Sequence, residues 1–379
     1  MSFSKIQDQL SSAFQRNFEE GLEVGAALAL YHRGEKIISL HGGWRDATKT
    51  QPWTEETLAL IWSAGKGIAS MCLLHALQEN NISLEEKVAT FWPEFAQAGK
   101  EKITIAQLLS HRAGLAALDR KGITLTDHEA IVTALAAQPP NWPYDGSHGY
   151  GARTFGSLID ELLRRICKGL PLASYWRTHF ADPLELDLWF GLPEKHLCRM
   201  ATVIPPKIAP PLNDFSTAYS DHTSLTRRAF MEPGGSFPMA GMNQPELRQA
   251  SIISSGAISD AASLAKFYSI AAIHHDNPFF KEATRHAMET RIASGRDRVL
   301  LTDTFFSAGL MVNGTPSIMG PSARAFGHPG AGGALAFADP EREWGFAYIP
   351  NAMNHGVLTG PRTQRLVNAL YFCTDAIFE

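Results

Sequence analysis

The sequence has few cysteines, and their spacing gives them no common site. Four occur among 379 residues, at Cys72, Cys167, Cys198 and Cys373, and no two of them form a C-x-x-C pair. Clustered cysteines would indicate a zinc site or a disulfide framework, so neither is predicted. Residues 330–333 begin like a dinucleotide fingerprint but precede a strand-like run instead of opening a helix. We therefore expect neither a metal ion nor another cofactor.

Long apolar runs, a leader-like start and basic clusters are also missing. No stretch approaches the roughly 20 apolar residues of a membrane-spanning helix, and residues 1–10 lack the basic and apolar regions of a signal peptide. The 34 lysines and arginines are balanced by 38 acidic residues, so nothing indicates nucleic-acid binding. We predict a cytoplasmic protein with no membrane or nucleic-acid partner. Composition does not define its oligomeric state.

What remains is the composition of an ordinary globular protein with clear hydrophobic periodicity. The chain is 45% hydrophobic and 19% charged, and it is long enough for one large domain or two that share a core. Apolar residues at helical spacing predict helices over residues 5–19, 64–79, 104–110, 127–138, 154–168, 172–180, 259–275 and 362–371. Strand-like runs cover residues 24–32, 36–41, 58–62, 305–312, 331–338 and 344–350.

The order of these elements predicts the fold class. Strands come first, then many helices, then strands and a terminal helix. If the first hairpin joins the last strands, the chain is an α+β protein: an antiparallel sheet flanked by helices, with a mostly helical domain inserted. The expected division is residues 1–66 with 255–379 for the sheet domain and 67–254 for the helical domain. Binding clefts often lie at the interface between two such parts of a chain.

Residues 203–250 are the least regular part of the predicted helical domain. Seven prolines fall in this segment, at positions 205, 206, 210, 211, 233, 238 and 245. Long loops inside compact domains are often functional, so the segment is either one wall of a cleft or an ordinary surface excursion.

Ser63-Ala-Gly-Lys66 is the motif most suited to chemistry. A serine hydroxyl becomes a useful nucleophile only with a base in hydrogen-bond reach, and residues i and i+3 share one face of a helix. Ser63 follows the apolar run 58–62 and opens the predicted helix 64–79, where free backbone N–H groups stabilise negative charge. Taken alone, the spacing favours an N-capping serine beside a partly exposed lysine.

Two other S-x-x-K matches show how weak the spacing is by itself. Ser2/Lys5 lies at the N-terminus, where chains fray and sites are seldom built. Ser263/Lys266 lies in an amphipathic pattern whose polar positions indicate a solvated face. Context must therefore distinguish Ser63 from them.

Two further segments supply that context. His148-Gly-Tyr150-Gly-Ala152 precedes a helical run, and Phe326-Gly-His328-Pro-Gly330 precedes a strand-like run. The order S-x-x-K, Y-x-x, H-x-G resembles the serine β-lactamase and penicillin-binding protein superfamily, and most closely the class C β-lactamases and the family VIII-type carboxylesterases that share their fold. The resemblance extends from about residue 20 onward, through residues 41–46, 108–114, 183–186 and 255–260.

The resemblance implies a β-lactamase/transpeptidase-like fold and specific roles. Ser63 would be the acylated nucleophile, with Lys66 and Tyr150 as its coupled base. His328 occupies the place of the lysine in the family's Lys-Thr-Gly. Backbone N–H groups of Ser63 and Ala331 would form the oxyanion hole. Without the resemblance, Tyr150 is better interpreted as a core aromatic, and His328 alone is compatible with a hydrogen-bonded loop histidine.

Two departures from the β-lactamase pattern bear on the substrate. Ala152 and Gly330 fall at substrate-binding positions, but Ala152 stands where β-lactamases carry Asn, and His328 stands where they carry Lys. The first loses an amide, and the second replaces a permanent cation with a group only partly charged at neutral pH. Both losses weaken a site for the carboxylate and amide of a β-lactam and are compatible with an uncharged ester.

The identity of the base is a separate question. A free tyrosine titrates near 10, so an ionised tyrosine at neutral pH requires roughly 4 kcal/mol of differential stabilisation. We hypothesise that Lys66 and Tyr150 share the proton as a coupled pair. A protonated His328 would then favour the tyrosinate.

These inferences predict a serine hydrolase that cleaves small carboxylic esters through a Ser63 acyl-enzyme. Its partner would be a small-molecule ester or lactam. One alternative is a β-lactamase or D-alanyl peptidase, against which the lack of an export signal weighs. Another is a non-catalytic penicillin-binding-like protein, against which the intact Ser63, Lys66 and Tyr150 argue.

Overall fold

The main sheet is built from both ends of the chain, as predicted. The computed structural model describes residues 3–235 and 239–372. Its strands are β1 (Gly25–His32), β2 (Glu35–Gly43), β3 (Ala59–Leu60), β4 (Leu188–Phe190), β5 (Ala257–Ser259), β6 (Ala293–Arg296), β7 (Asp303–Phe306), β8 (Met311–Val312), β9 (Phe326–Pro329), β10 (Leu335–Asp339) and β11 (Trp344–Pro350).

These strands form two antiparallel sheets. The large one has eight strands in the order β2-β1-β11-β10-β9-β8-β7-β6, and the small one has the order β3-β5-β4. β1 pairs with β11 from Ala26↔Pro350 to His32↔Trp344, so the first hairpin joins the last strands. The predicted α+β fold, with an antiparallel sheet flanked by helices, is confirmed.

Helices cover the large sheet and fill the middle of the chain. They are α1 (Phe3–Glu19), α2 (Ala64–Glu79), α3 (Val88–Phe91), α4 (Ile105–Leu109), α5 (His128–Ala137), α6 (Thr154–Ile166), α7 (Leu172–Trp176), α8 (Asp214–Ser220), α9 (Leu225–Met231), α10 (Pro245–Gln249), α11 (Ala261–Ala271), α12 (Glu282–Glu289) and α13 (Pro361–Tyr371). A π-helical turn extends α7 over Arg177–Ala181. The predicted long helices are all present, whereas the sequence patterns did not identify α3, α8, α9, α10 and α12.

Two predicted strands are divided by turns. Residues 331–338 consist of a 3-10 turn, Ala331–Gly333, followed by β10. The φ angles of Gly332 and Gly333 are 80° and 105°, and these left-handed conformations turn the chain before β10 begins. Residues 305–312 are split in the same way, because Gly309 has φ 88° in the tight turn between β7 and β8.

The segment 203–250 is more regular than predicted. It contains α8, α9, α10 and a 3-10 turn over Met239–Asn243. Local polar side chains supply the helix starts: Asn213 and Ser216 form a capping box, and the Ser224 side chain accepts a hydrogen bond from the Arg227 N–H. Prolines alone therefore gave the wrong description of this segment, although Pro238 lies outside the described residues.

Helix α2 lies at the centre of the molecule and connects the sheet to the helices. It is buried on all sides from Ala64 to Leu77, which explains its apolar sequence. Gly67 permits close approach: a Cβ there would lie 2.2 Å from Tyr268 Oη and 3.4 Å from His328 Cβ. This packing brings the N-terminus of α2 beside β9.

Candidate active site

Ser63 lies at a strained turn between β3 and α2. Trp62, directly before it, has φ 52° in the left-handed region, which is uncommon for a bulky residue and often marks a functional site. Ser63 occupies the N-cap position of α2, yet its side chain makes no capping hydrogen bond. The hydroxyl is therefore not used for capping, so the interpretation of Ser63 as an N-capping serine is wrong.

Lys66 points back at Ser63 from the first turn of α2. Its Nζ lies 3.0 Å from Ser63 Oγ. Nζ also donates to the carbonyl oxygens of Ala152, at 3.0 Å, and of Ser254, at 2.6 Å. The Lys66 side chain is fully buried, so the interpretation of Lys66 as a partly exposed lysine is wrong as well.

Tyr150 completes a group of three side chains. Lys66 Nζ lies 4.9 Å from the centroid of the Tyr150 ring, and the Tyr150 side chain hydrogen-bonds that of Ser63. Tyr150 is also a buried aromatic, because its ring stacks on Phe306 at a centroid distance of 6.3 Å. The structure thus brings together Ser63, Lys66 and Tyr150 from two distant segments of the chain.

Burial acts in opposite directions on the two proton-carrying groups. It lowers the pKa of Lys66 to about 7, because the charged ammonium loses its hydration. It raises the pKa of Tyr150 above its usual range, and the hydrogen bond with Ser63 offsets only part of that rise. The amine therefore gives up its proton far more readily than the phenol.

His328 lies on β9 beside these groups and is buried. Its Nδ1 hydrogen-bonds the Pro329 carbonyl at 2.7 Å, and its Nε2 has no partner among the described residues. Burial, followed by repulsion from Lys66, lowers the pKa of His328 to about 3. The imidazole is neutral at pH 7, so the expectation that a protonated His328 favours tyrosinate is wrong.

Pro329 can end β9 because the strand has one open side at that point. β8 pairs only with Phe326 and Gly327, whereas β10 pairs along the strand as far as Pro329. Among the described strands, none pairs with His328 or Pro329 on the β8 side. The proline therefore removes no ladder hydrogen bond there.

The turn after β9 lies against the strand that precedes Ser63. A Cβ on Gly330 would lie 2.3 Å from the Ile61 carbonyl oxygen, so only glycine permits this approach. Within the described residues, the N–H groups of Ser63 and Ala331 donate to no backbone or side-chain acceptor. Two free donors on adjoining segments are compatible with the predicted oxyanion hole.

The turn Ala331–Gly333 is fixed from outside by α13. The Arg362 guanidinium donates to the Gly332 carbonyl, and Thr363 Oγ1 donates to the Gly333 carbonyl at 2.7 Å. Arg362 is buried and pairs with Glu23 at 3.0 Å. The terminal helix thus determines where the Ala331 N–H lies.

Sequence reasoning missed three contributors to the site. Ser254 supplies a carbonyl to Lys66, Asp297 accepts the Tyr150 N–H, and His111 Nδ1 accepts the Gly151 N–H at 3.1 Å. Of these three residues, the sequence could have indicated only His111, because it lies in the segment 108–114 that carries part of the family resemblance. Ser254 acts through its backbone, and Asp297 stands in an ordinary hairpin sequence.

The other S-x-x-K serines have different environments. Ser263 Oγ donates to Asp260 at 3.0 Å and accepts the Asp187 N–H at 2.8 Å, while Lys266 Nζ donates to the Leu184 carbonyl. Ser263 is buried, so the predicted solvated face is wrong at this position. Ser2 lies outside the described residues.

The described residues hold neither a metal-ligating cluster nor a membrane-spanning helix. Residues 3–235 and 239–372 contain no group of three or more His, Cys, Asp or Glu side chains that could hold a metal ion. Within the same residues, no helix is both long enough and apolar enough to span a membrane. The cytoplasmic location stays a prediction.

Comparison with known proteins defines the class to which this fold and site belong. The β-lactamase family model matches residues 14–369. The esterase/β-lactamase LipL of Mycobacterium tuberculosis is 29% identical over 345 residues, which cover 87% of this chain and 77% of that protein. A penicillin-binding protein homologue from Caulobacter crescentus has a TM-score of 0.88 with 33% identity, and a family VIII carboxylesterase has 0.87 with 30%, each covering 97% of both chains.

The chain therefore belongs to the β-lactamase family, and it is a serine hydrolase of the carboxylesterase-like kind. The predicted resemblance to this superfamily is confirmed, and so is the predicted likeness to family VIII carboxylesterases. A D-amino acid amidase from Ochrobactrum anthropi, 18% identical with a TM-score of 0.69, shares the fold alone. The roles of the individual residues remain predictions.

Proposed function

We propose that this protein hydrolyses small carboxylic esters through an acyl-enzyme formed on Ser63. The observation that carries the proposal is the environment of Lys66 Nζ, which contacts Ser63 Oγ and two backbone carbonyls. A neutral amine has two N–H donors and one lone pair. When the carbonyls of Ala152 and Ser254 accept both N–H groups, the lone pair faces the Ser63 hydroxyl.

Acylation follows from this arrangement. Lys66 takes the Ser63 proton while Oγ bonds to the ester carbonyl carbon, and the N–H groups of Ser63 and Ala331 stabilise the oxyanion. The bond to the alcohol oxygen then breaks. The proton passes from Lys66 through Tyr150 to the leaving alkoxide. The phenol carries the proton without remaining ionised, which agrees with its raised pKa.

Deacylation uses the same groups in reverse. A water molecule attacks the acyl carbon and gives a proton to the Tyr150–Lys66 pair. The bond to Ser63 Oγ breaks, Oγ regains a proton, and the carboxylic acid leaves. Each cycle consumes one ester and one water and returns the enzyme unchanged.

Two residues support an ester in preference to a lactam. Ala152 offers a methyl group where β-lactamases have an amide, and the neutral, buried His328 offers no positive charge for a substrate carboxylate. An uncharged ester requires neither group. Esterase EstB of Burkholderia gladioli, 28% identical over 217 residues that cover half of that protein, also carries an esterase name.

A lactam substrate is the second candidate. One relative is named for both activities, and the same Ser63 acyl-enzyme would open a β-lactam ring. The substrate would then be a β-lactam or a D-alanyl peptide. The Ala152 and His328 environments make this the weaker candidate.

The test compares substrates on one preparation. The protein is incubated with p-nitrophenyl acetate and butyrate, nitrocefin and a fluorophosphonate probe. We expect ester turnover above nitrocefin turnover and one covalent label per chain. Ser63→Ala should lose the label and the turnover, whereas Ser263→Ala, the serine of another S-x-x-K, should keep both. Nitrocefin turnover above ester turnover would reverse the ranking, and no label with no turnover would favour a non-catalytic binding protein.

A further inference from the structure

The backbone around Tyr150 is held by two segments that are distant in sequence. The Gly149 N–H donates to the His111 carbonyl, and the Gly151 N–H donates to His111 Nδ1, both at 3.1 Å. Between them, the Tyr150 N–H donates to the Asp297 carboxylate, at 3.1 Å to each oxygen. These three successive N–H groups therefore donate to two side-chain acceptors, the Asp297 carboxylate and His111 Nδ1, and to one carbonyl, that of His111.

Asp297 is part of a rigid hairpin turn between β6 and β7. Its carboxylate accepts the N–H groups of Val299, at 2.7 Å, and Leu300, at 2.8 Å, and the hydroxyl of Thr304, at 3.2 Å. The side chain has no exposed surface. A buried carboxylate that accepts this many donors is fixed in place, so the Tyr150 N–H is fixed with it.

The same turn also holds the residue two positions before Tyr150. The Arg298 N–H donates to the His148 carbonyl at 3.0 Å. The His148 imidazole hydrogen-bonds Thr304 Oγ1 at 2.7 Å. The loop 148–151 is thus anchored on the sheet side through its first and third residues.

His111 anchors the loop from the opposite side. It follows α4 with φ 59°, a left-handed conformation that directs both its carbonyl and its ring at the loop. Its ring centroid lies 5.1 Å from that of Tyr150. Burial lowers the pKa of His111 well below its usual value, so Nδ1 is unprotonated and can accept the Gly151 N–H.

We propose that His111 and Asp297 are positioning residues that aim the Tyr150 hydroxyl at the oxygen of the leaving alcohol. Neither side chain takes part in the proton transfers of the proposed mechanism, on whose Tyr150 role this inference rests. Both act only as hydrogen-bond acceptors on the backbone of one loop. Fixing the backbone fixes the Cα–Cβ direction of Tyr150, and a displacement of about 1 Å in such a group can cost roughly 100-fold in rate.

The choice of leaving group separates positioning from general stability. Ethyl butyrate and p-nitrophenyl butyrate give the same butyryl-enzyme, so their kcat/KM values compare acylation alone. Ethoxide is a strong base that needs a proton in order to leave, whereas p-nitrophenolate leaves without one. A misplaced Tyr150 therefore slows ethyl butyrate selectively. A partly unfolded enzyme slows both esters equally.

We expect His111→Leu and Asp297→Ala to lower kcat/KM for ethyl butyrate by about 10- to 100-fold more than for p-nitrophenyl butyrate. His111→Asn, whose amide oxygen takes the place of Nδ1, should return the ratio of the two rates close to that of the wild type. If His111→Leu does not fold, Asp297→Asn gives the same comparison, because it keeps one acceptor oxygen but turns an amide towards the N–H groups.

Two reference variants complete the experiment. Tyr150→Phe should show the largest selective loss; if it does not, the proposed role of Tyr150 fails independently of the positioning residues. Asp160→Ala removes another buried carboxylate that accepts a backbone N–H, that of Leu172 at 2.7 Å, away from the loop. It should lower both rates alike. If Tyr150→Phe is selective but His111→Leu and Asp297→Ala behave like Asp160→Ala, the inference is overturned.

Discussion

Lys66 holds its amine where water cannot hydrate it. Three hydrogen-bond acceptors among the described residues face a charge there, namely the Ser63 hydroxyl and the carbonyls of Ala152 and Ser254. Those acceptors do not offset the loss of hydration, so the pKa of Lys66 falls to about 7. Burial thus converts a residue that is normally an acid at neutral pH into a base.

This shift predicts the pH dependence of acylation. Below pH 7 the Lys66 amine is increasingly protonated and has no lone pair for the Ser63 proton, so kcat/KM for p-nitrophenyl butyrate should fall by up to about 10-fold per pH unit. Above pH 7 it should level off. A stopped-flow profile from acid to mildly alkaline pH measures the midpoint, expected near the pKa of about 7.

Two variants test the assignment of that midpoint. Lys66→Arg keeps a permanent charge, so it should lose the activity at every pH. His328→Ala should keep the midpoint, because a pKa of about 3 leaves the imidazole neutral throughout. A midpoint that moves by a full pH unit in His328→Ala would restore His328 as a titrating participant.

At the scale of elements, the site depends on how closely two turns approach. The turn Ala331–Gly333 must lie against the connection between β3 and Ser63, and Gly330 is the point of contact. Its own conformation, φ −115° and ψ 150°, is available to any residue. The requirement for glycine there is therefore one of space and not of backbone angle.

Gly330→Ala should therefore reduce activity more than stability. The added Cβ would lie 2.3 Å from the Ile61 carbonyl oxygen and push the turn away, which separates the two oxyanion donors. Loss of one such donor costs roughly 100- to 1,000-fold in kcat. Steady-state kinetics and a thermal melt measure both effects.

Gly42→Ala in β2 is the matched control for this substitution. Its Cβ would meet only ordinary contacts, the nearest being the Phe14 ring at 3.6 Å. It should change neither kcat nor the melting temperature appreciably. If Gly330→Ala keeps wild-type kcat, the turn is not part of the oxyanion hole.

At the scale of the whole molecule, the division into residues 1–66 with 255–379 and 67–254 is a proposal about chain organisation. The largest cluster of buried apolar residues draws on both parts: Ala29 and Ala338 come from the sheet, and Leu135 and Phe155 from the helical segment. The small sheet also pairs β4 with β5 across the proposed boundary. Two units that share a core have little reason to unfold separately.

We therefore predict one cooperative unfolding transition. Far-ultraviolet circular dichroism, tryptophan fluorescence and loss of esterase activity should give coincident thermal transitions, and the calorimetric and van't Hoff enthalpies should agree. Eight tryptophans, spread over both parts, make the fluorescence probe global. A sheet signal that survives after the activity is lost would show that the two parts unfold independently.

Hydrophobic periodicity and motif order determined much of this protein from the sequence alone. The period of an amphipathic helix or a strand is a local property, so α1, α2, α6, α11, α13, β1, β2 and β11 were predictable. Periodicity does not distinguish a continuous strand from two strands joined by a glycine turn. That is why residues 305–312 and 331–338 were misassigned.

The tertiary structure alone decided the electrostatics and the supports of the site. Whether Lys66 is a base depends on its desolvation, which comes from helix and sheet packing and leaves no mark on the spacing of S-x-x-K. The neutrality of His328 has the same origin. The contributions of Ser254, Asp297 and His111 arise from hydrogen bonds across more than 35 positions of sequence, and contacts at that range exist only once the chain has folded.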